Sequence, residues 1–81
     1  MTKDDLAERL ALEGIAPSAY DLSGAGRSES YVFREQSSDW AVFYSERGLQ
    51  TGLRVFATET EACGYFIQLV ASDPTTRAAL D

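Results

Sequence analysis

Eighty-one residues suffice for one hydrophobic core but not for two, and 44% hydrophobic with 25% charged residues is the balance of a folded domain, not of a disordered chain. Thirteen acidic against seven basic side chains give a net charge of −6, which opposes binding to nucleic acid or anionic lipid, where attraction to phosphate dominates. With one cysteine, Cys63, and no histidine, an internal disulfide, a Cys/His zinc site and Ser/His or Cys/His nucleophilic catalysis are excluded together.

Thr2 is placed to cap a helix whose first turn carries Asp4 and Asp5, where negative charge suits free N–H groups. Leu6, Ala7, Leu10 and Ala11 form its apolar stripe. Gly14, with Ile15 beside it and Pro17 after it, predicts an end near Glu13 through a left-handed residue. Ala19 to Leu22 is a short candidate strand, and Ser23-Gly24-Ala25-Gly26-Arg27-Ser28 reads as a flexible surface connection. Its two glycines lack the third glycine and the following helix of a phosphate-binding loop.

Ser30 to Gln36 alternates as a strand, and Ser37-Ser38-Asp39 turns it into a second strand from Trp40. There Trp40, Val42 and Tyr44 share one face and Ala41, Phe43 and Ser45 the other. Both faces are largely apolar, which predicts a central strand covered on both sides. Glu46-Arg47-Gly48 reads as a hairpin connection, a type I turn plus bulge with positive φ at Gly48. The partner strand is predicted over Gln50 to Ala57, with Gly52 a candidate bulge.

Thr58 and Glu61 have the spacing of a reciprocal capping box. Ala62, Cys63, Phe66, Ile67 and Val70 then make one apolar helical face that Asp73-Pro74 ends. Residues 73–81 read as an extra turn or a loose tail. The expectation is one α+β domain over residues 1–81, a two-layer sandwich of an antiparallel three- to four-stranded meander packed against an N-terminal and a C-terminal helix.

Cys63 at helical spacing with Phe66 reads as a small buried hydrophobe, without the electropositive surroundings of a reactive thiol. The pairs Asp4/Asp5 and Glu59/Glu61 sit in first turns of helices, where capping accounts for them. No residue set fits an acid–base or nucleophilic role, so no enzyme activity and no cofactor are expected. Glu46 and Arg47 at the hairpin tip fit either solvated turn charges or a recognition tip beside Tyr44. Tyr31, Phe33, Trp40 and Tyr44 line up on one face, which is either a binding surface or the face beneath the helices.

The run Trp40-Ala41-Val42-Phe43-Tyr44-Ser45-Glu46-Arg47-Gly48, followed by Thr51-Gly52-Leu53 and Phe56-Ala57-Thr58-Glu59-Thr60-Glu61-Ala62-Cys63, resembles a group of small bacterial proteins. Asp73-Pro74-Thr75-Thr76-Arg77 also fits that group, and Tyr20-Asp21-Leu22-Ser23-Gly24 is a weaker point of similarity. Such proteins are found beside polymorphic toxins, particularly toxins with an NAD-glycohydrolase domain of the tuberculosis-necrotizing-toxin type. The resemblance implies a role in immunity, and it carries over no site residues of its own. An inhibitor of such a toxin must deny it its substrate, either by covering the cleft or by locking a mobile element of it.

A cleft for a dinucleotide is basic for the phosphates and apolar for the rings, so the expected plug is a carboxylate beside an aromatic. Glu46 leads the candidate contacts, with Arg47, Tyr44, Trp40 and Tyr31. The alternative is a non-catalytic interaction or regulatory module in a larger assembly. No apolar run approaches the roughly 18 residues of a membrane span, and Met1-Thr2-Lys3-Asp4-Asp5 lacks the apolar centre of a signal segment. A cytoplasmic chain is therefore expected, with a basic protein partner and neither nucleic acid nor membrane.

Overall fold

In the computed structural model, which describes residues 1–77, Thr2 opens helix α1 (Lys3–Leu12) with a closed capping box. Its hydroxyl accepts from the Asp5 N–H at 3.3 Å while the Asp5 carboxylate accepts from the Thr2 N–H at 3.0 Å. The Lys3 N–H, another donor that the first turn leaves free, is met by the Glu59 carboxylate at 3.1 Å. At the other end Gly14 takes φ +76°. Its N–H reaches Ala11 O and that of Ile15 reaches Leu10 O, both at 3.1 Å, and buried Ile15 supplies the apolar contact of this ending.

Four strands follow, β1 (Tyr20–Asp21), β2 (Ser30–Glu35), β3 (Trp40–Glu46) and β4 (Leu49–Phe56), lying in the sheet in chain order. β2, β3 and β4 are antiparallel neighbours, as alternation predicts. β1 instead pairs in parallel with β2, Tyr20 beside Tyr31 and Asp21 beside Val32, so the sheet is mixed and not a pure meander. Parallel strands need a crossover; because β1 is only two residues long, the segment from Leu22 to Glu29 is enough to bring the chain back to the same end.

The β3–β4 turn also differs in type from the expected one. Glu46 pairs with Leu49, leaving a two-residue turn with Arg47 at φ 51° and Gly48 at φ 81°. Two positive φ values define the primed turn that suits the twist of a tight hairpin. Gly52, at φ 67°, forms the predicted bulge: Val42 pairs with Arg54 but Tyr44 with Thr51, so Gly52 and Leu53 together face Phe43.

Helix α2 (Glu59–Ala71) begins at Thr58, whose hydroxyl accepts from the Glu61 N–H at 3.2 Å. The Glu61 carboxylate takes the Thr58 hydroxyl at 2.9 Å, not the Thr58 backbone N–H, so the box closes on one backbone donor where two were expected. Asp73 then caps a 3₁₀ turn, Pro74–Thr76. The expected extra turn or tail toward residue 81 lies, from residue 78 on, outside the described residues.

Both helices belong to one face of the sheet, as expected of an α+β sandwich. Phe33 and Val42 are buried there with Leu6 and Leu10 of α1 and with Ala62, Cys63, Phe66 and Val70 of α2. Phe33 and Phe66 meet edge to face at 5.7 Å. Burial, and after it the Glu59 carboxylate, push the Cys63 thiol up, the opposite of what a nucleophile needs. Cys63→Ser should destabilise by about 1–3 kcal/mol, because it puts a hydroxyl among apolar groups. Thermal unfolding checks this, and an unchanged midpoint would place Cys63 outside the core.

The opposite face has no helix, yet Val32, Ala41 and Phe43 are buried there with Ser30 and Ser45. Their cover is the segment from Ser23 to Ser28, which the sequence suggested was a flexible connection. Asp21 is its anchor. One carboxylate oxygen accepts from the N–H and hydroxyl of Ser23, and the other from the N–H groups of Gly26 and Arg27 at 3.0 Å each.

The segment is also tied to the sheet below. Arg34 donates to Gly24 O at 2.8 Å with its guanidinium 4.9 Å over the Phe43 ring, and Ser45 donates to Gly26 O at 3.1 Å. Edge strand β4 has neither helix nor loop over this face, so Leu53 and Val55 stay 51% and 54% exposed.

Candidate partner-binding site

On the helix-covered face the cross-strand pairs run Glu35/Trp40, Phe33/Val42 and Tyr31/Tyr44. α2 buries the middle pair and leaves Tyr31 and Tyr44 half-buried at the hairpin end. Their rings meet edge to face at 4.9 Å. The Tyr31 hydroxyl donates to Asp73 at 2.8 Å, and the other Asp73 oxygen accepts from the N–H and hydroxyl of Thr75 at 2.9 and 2.7 Å. The last turn of the described chain thereby fixes one ring of the pair.

Burial, and then the Asp73 carboxylate that accepts its hydrogen bond, push the Tyr31 phenol up to about 12. Tyr44 is raised by burial and by the carboxylates of Glu46, Glu29 and Asp73. Asp73 is held below its ordinary value by the Thr75 hydroxyl and N–H and by Tyr31. Near neutral pH the site is therefore a pair of neutral phenols within the field of three carboxylates.

The tyrosine pair separates two hollows. One, of about 160 Å³, is polar and bordered by Glu29, Asp73, Thr75 and Ala19. The other, of about 330 Å³, is mostly apolar, between the same tyrosines and Thr51, Gly52, Tyr65 and Leu69. Glu29 at φ 58° and Arg47 at φ 51° are the non-glycine residues with positive φ among the described residues. Each such conformation costs roughly 1–2 kcal/mol. Both are held at this end of the sheet, Glu29 N–H by Ser45 O at 2.6 Å and Arg47 N–H by the Ser28 hydroxyl at 3.3 Å.

Of the residues proposed from sequence, Tyr31, Tyr44 and Glu46 come together here, and Arg47 stands exposed at the turn next to them. Trp40 does not join them. It begins β3, about 13 Å from Tyr44 at ~3.3 Å per residue, and packs against the core beside Phe56. Its indole N–H is buried with no acceptor among the described residues. The aromatic row is thus divided, with Phe33 beneath the helices and the two tyrosines at the rim.

Glu29, Asp73 and Tyr65 were not among the sequence candidates. Glu29 carried no strand-parity signal, because it precedes β2 in a left-handed conformation. Asp73 carried none, since its contact spans 42 positions. No group of three or more His, Cys, Asp or Glu among the described residues could hold a metal ion, and no described helix is long and apolar enough to cross a membrane. No family model, no curated protein and no solved structure matches the chain.

Proposed function

We propose that this chain is an immunity protein that binds a cognate bacterial toxin, an NAD(P)-glycohydrolase, in the cytoplasm and occludes its active-site cleft without turnover of its own. The observation that carries this reading is the half-exposed Tyr31–Tyr44 pair surrounded by Glu29, Glu46 and Asp73. Aromatic rings beside carboxylates complement a cleft that is basic for phosphates and apolar for rings. The pair also sits on paired strands and is tied to Asp73, so little ordering is required on binding. The acidic balance of −6 adds long-range attraction to a basic partner.

The purified chain, added to the toxin domain encoded beside its gene, should stop NAD+ hydrolysis at one equivalent. Hydrolysis that continues under excess chain would rule this reading out. The exposed edge of β4, with Leu49, Leu53 and Val55 open to solvent, favours a second reading, a non-catalytic module that adds this strand to a larger assembly. A gene placed within a metabolic operon, with no toxin domain nearby, would favour that one.

A further inference from the structure

We infer that the polar hollow beside the Tyr31–Tyr44 pair receives an arginine side chain projecting from the protein partner, its guanidinium lying between the carboxylates of Glu29 and Asp73 and against the tyrosine rings. This rests on the reading that the hairpin end is a protein contact, and it assigns the chemistry recognised there. The hollow, about 160 Å³, is smaller than the roughly 300–1,000 Å³ of pockets for whole small-molecule ligands. It matches the head of one side chain.

Its electrostatics ask for a cation. Glu29 and Asp73 border the hollow beside the Tyr44 ring, both carboxylates help to raise the Tyr44 phenol, and like charges gathered around one group repel. Five of the chain's six arginines are occupied elsewhere, and the sixth, Arg47, stands exposed at the turn and does not border the hollow. Arg9 pairs with Glu13 in the single ion pair among the described residues. Arg27 donates to the carbonyls of Pro17 and Tyr20, Arg34 and Arg54 lie over Phe43 and Tyr65, and Arg77 donates to Glu13 O. No arginine or lysine borders the hollow itself, so the charges of Glu29 and Asp73 there are left for a partner to neutralise.

Arginine fits better than lysine for geometric reasons. A planar fork can donate to a carboxylate on each side while its face rests on an aromatic ring; an ammonium is a compact, strongly hydrated point charge. Asp73 is pre-set for such a contact. Its Thr75 bonds fix the carboxylate plane, and the oxygen that takes the Tyr31 hydroxyl has a second lone pair.

The test uses the isolated chain and N-acetyl-arginine amide as probe, followed by amide chemical shifts. N-acetyl-citrulline amide, the neutral isostere, and N-acetyl-lysine amide serve as controls. The arginine probe should saturate in the millimolar range and move Glu29, Tyr31, Tyr44 and Thr75, with citrulline not saturating and lysine weaker. Glu29→Asn removes the carboxylate and keeps a residue tolerant of positive φ, so it should weaken the arginine probe about tenfold. Glu46→Gln, at an exposed position, is a second variant and should weaken it less.

Equal binding of arginine and citrulline, equal binding of arginine and lysine, or an affinity unchanged in both variants would overturn the assignment. So would saturation with shifts confined to other parts of the chain, or no saturation at all. Because no toxin is present, these outcomes are independent of whether toxin inhibition itself holds.

Discussion

Asp21→Asn is expected to lower the melting temperature by about 10 °C or more, since it should cost roughly 2–4 kcal/mol in a domain this small. Asp21 accepts four hydrogen bonds from Ser23, Gly26 and Arg27, and an asparagine would turn its own N–H groups toward two of those donors. The loop would then lose its anchor, and Val32, Ala41 and Phe43 their cover on the helix-free face.

Acid should act on the same group. Burial alone would raise the Asp21 carboxyl, but the hydrogen bonds from Ser23, Arg27 and Gly26 outweigh it and hold the group at about 2 against an ordinary 3.8. A pKa depressed in the folded state contributes stability that is fully present above the ordinary value and lost as pH falls through the folded one. Asp21 should therefore account for about 2 kcal/mol that disappears between pH 4 and 2, and the Asn variant should lack that part of the slope. Urea unfolding across this range checks both claims. A variant that melts within about 2 °C of wild type would show that Asp21 does not hold the cover in place.

Much of the fold was legible because it is local. Thr2 with Asp5, Gly14 with Ile15 and Thr58 with Glu61 act within one helical turn, and the pattern around Tyr31, around Trp40 to Tyr44 and around Leu53 gives three strands from short-range signals alone. Gly52 marked its bulge for the same reason. What escaped depends on distant partners. The segment from Ser23 to Ser28 has the composition of a free loop and becomes a cover only through Asp21, Arg34 and Ser45.

The site divides in the same way. Tyr31, Tyr44 and Glu46 share a face by parity and could be grouped from sequence, and Trp40 was grouped with them because parity says nothing of distance along a strand. Asp73 reached the site only through folding of the chain end onto Tyr31.

Under the proposed function, Glu46→Arg should weaken binding to the toxin about a hundredfold or more, the size of effect expected of an interface hot spot, while leaving the fold intact. Glu46 is exposed at the end of β3, so reversing its charge costs the free domain little. In the complex the new cation would stand beside the basic rim of the cleft, adding repulsion where an attraction was lost. Tyr44→Ala should weaken binding through the ring and not the charge, with less dependence on salt. For Glu46→Arg the loss in association rate should be larger at low salt, since steering is screened over ~10 Å at 0.1 M.

The most direct measurement is inhibition of the toxin domain's NAD+ hydrolysis by wild type, Glu46→Arg and Tyr44→Ala, each first matched for melting temperature and far-ultraviolet circular dichroism. The proposed function predicts full inhibition by wild type and a loss of about a hundredfold or more for Glu46→Arg, with Tyr44→Ala also impaired. Both variants inhibiting as well as wild type would contradict it and place the contact on another surface.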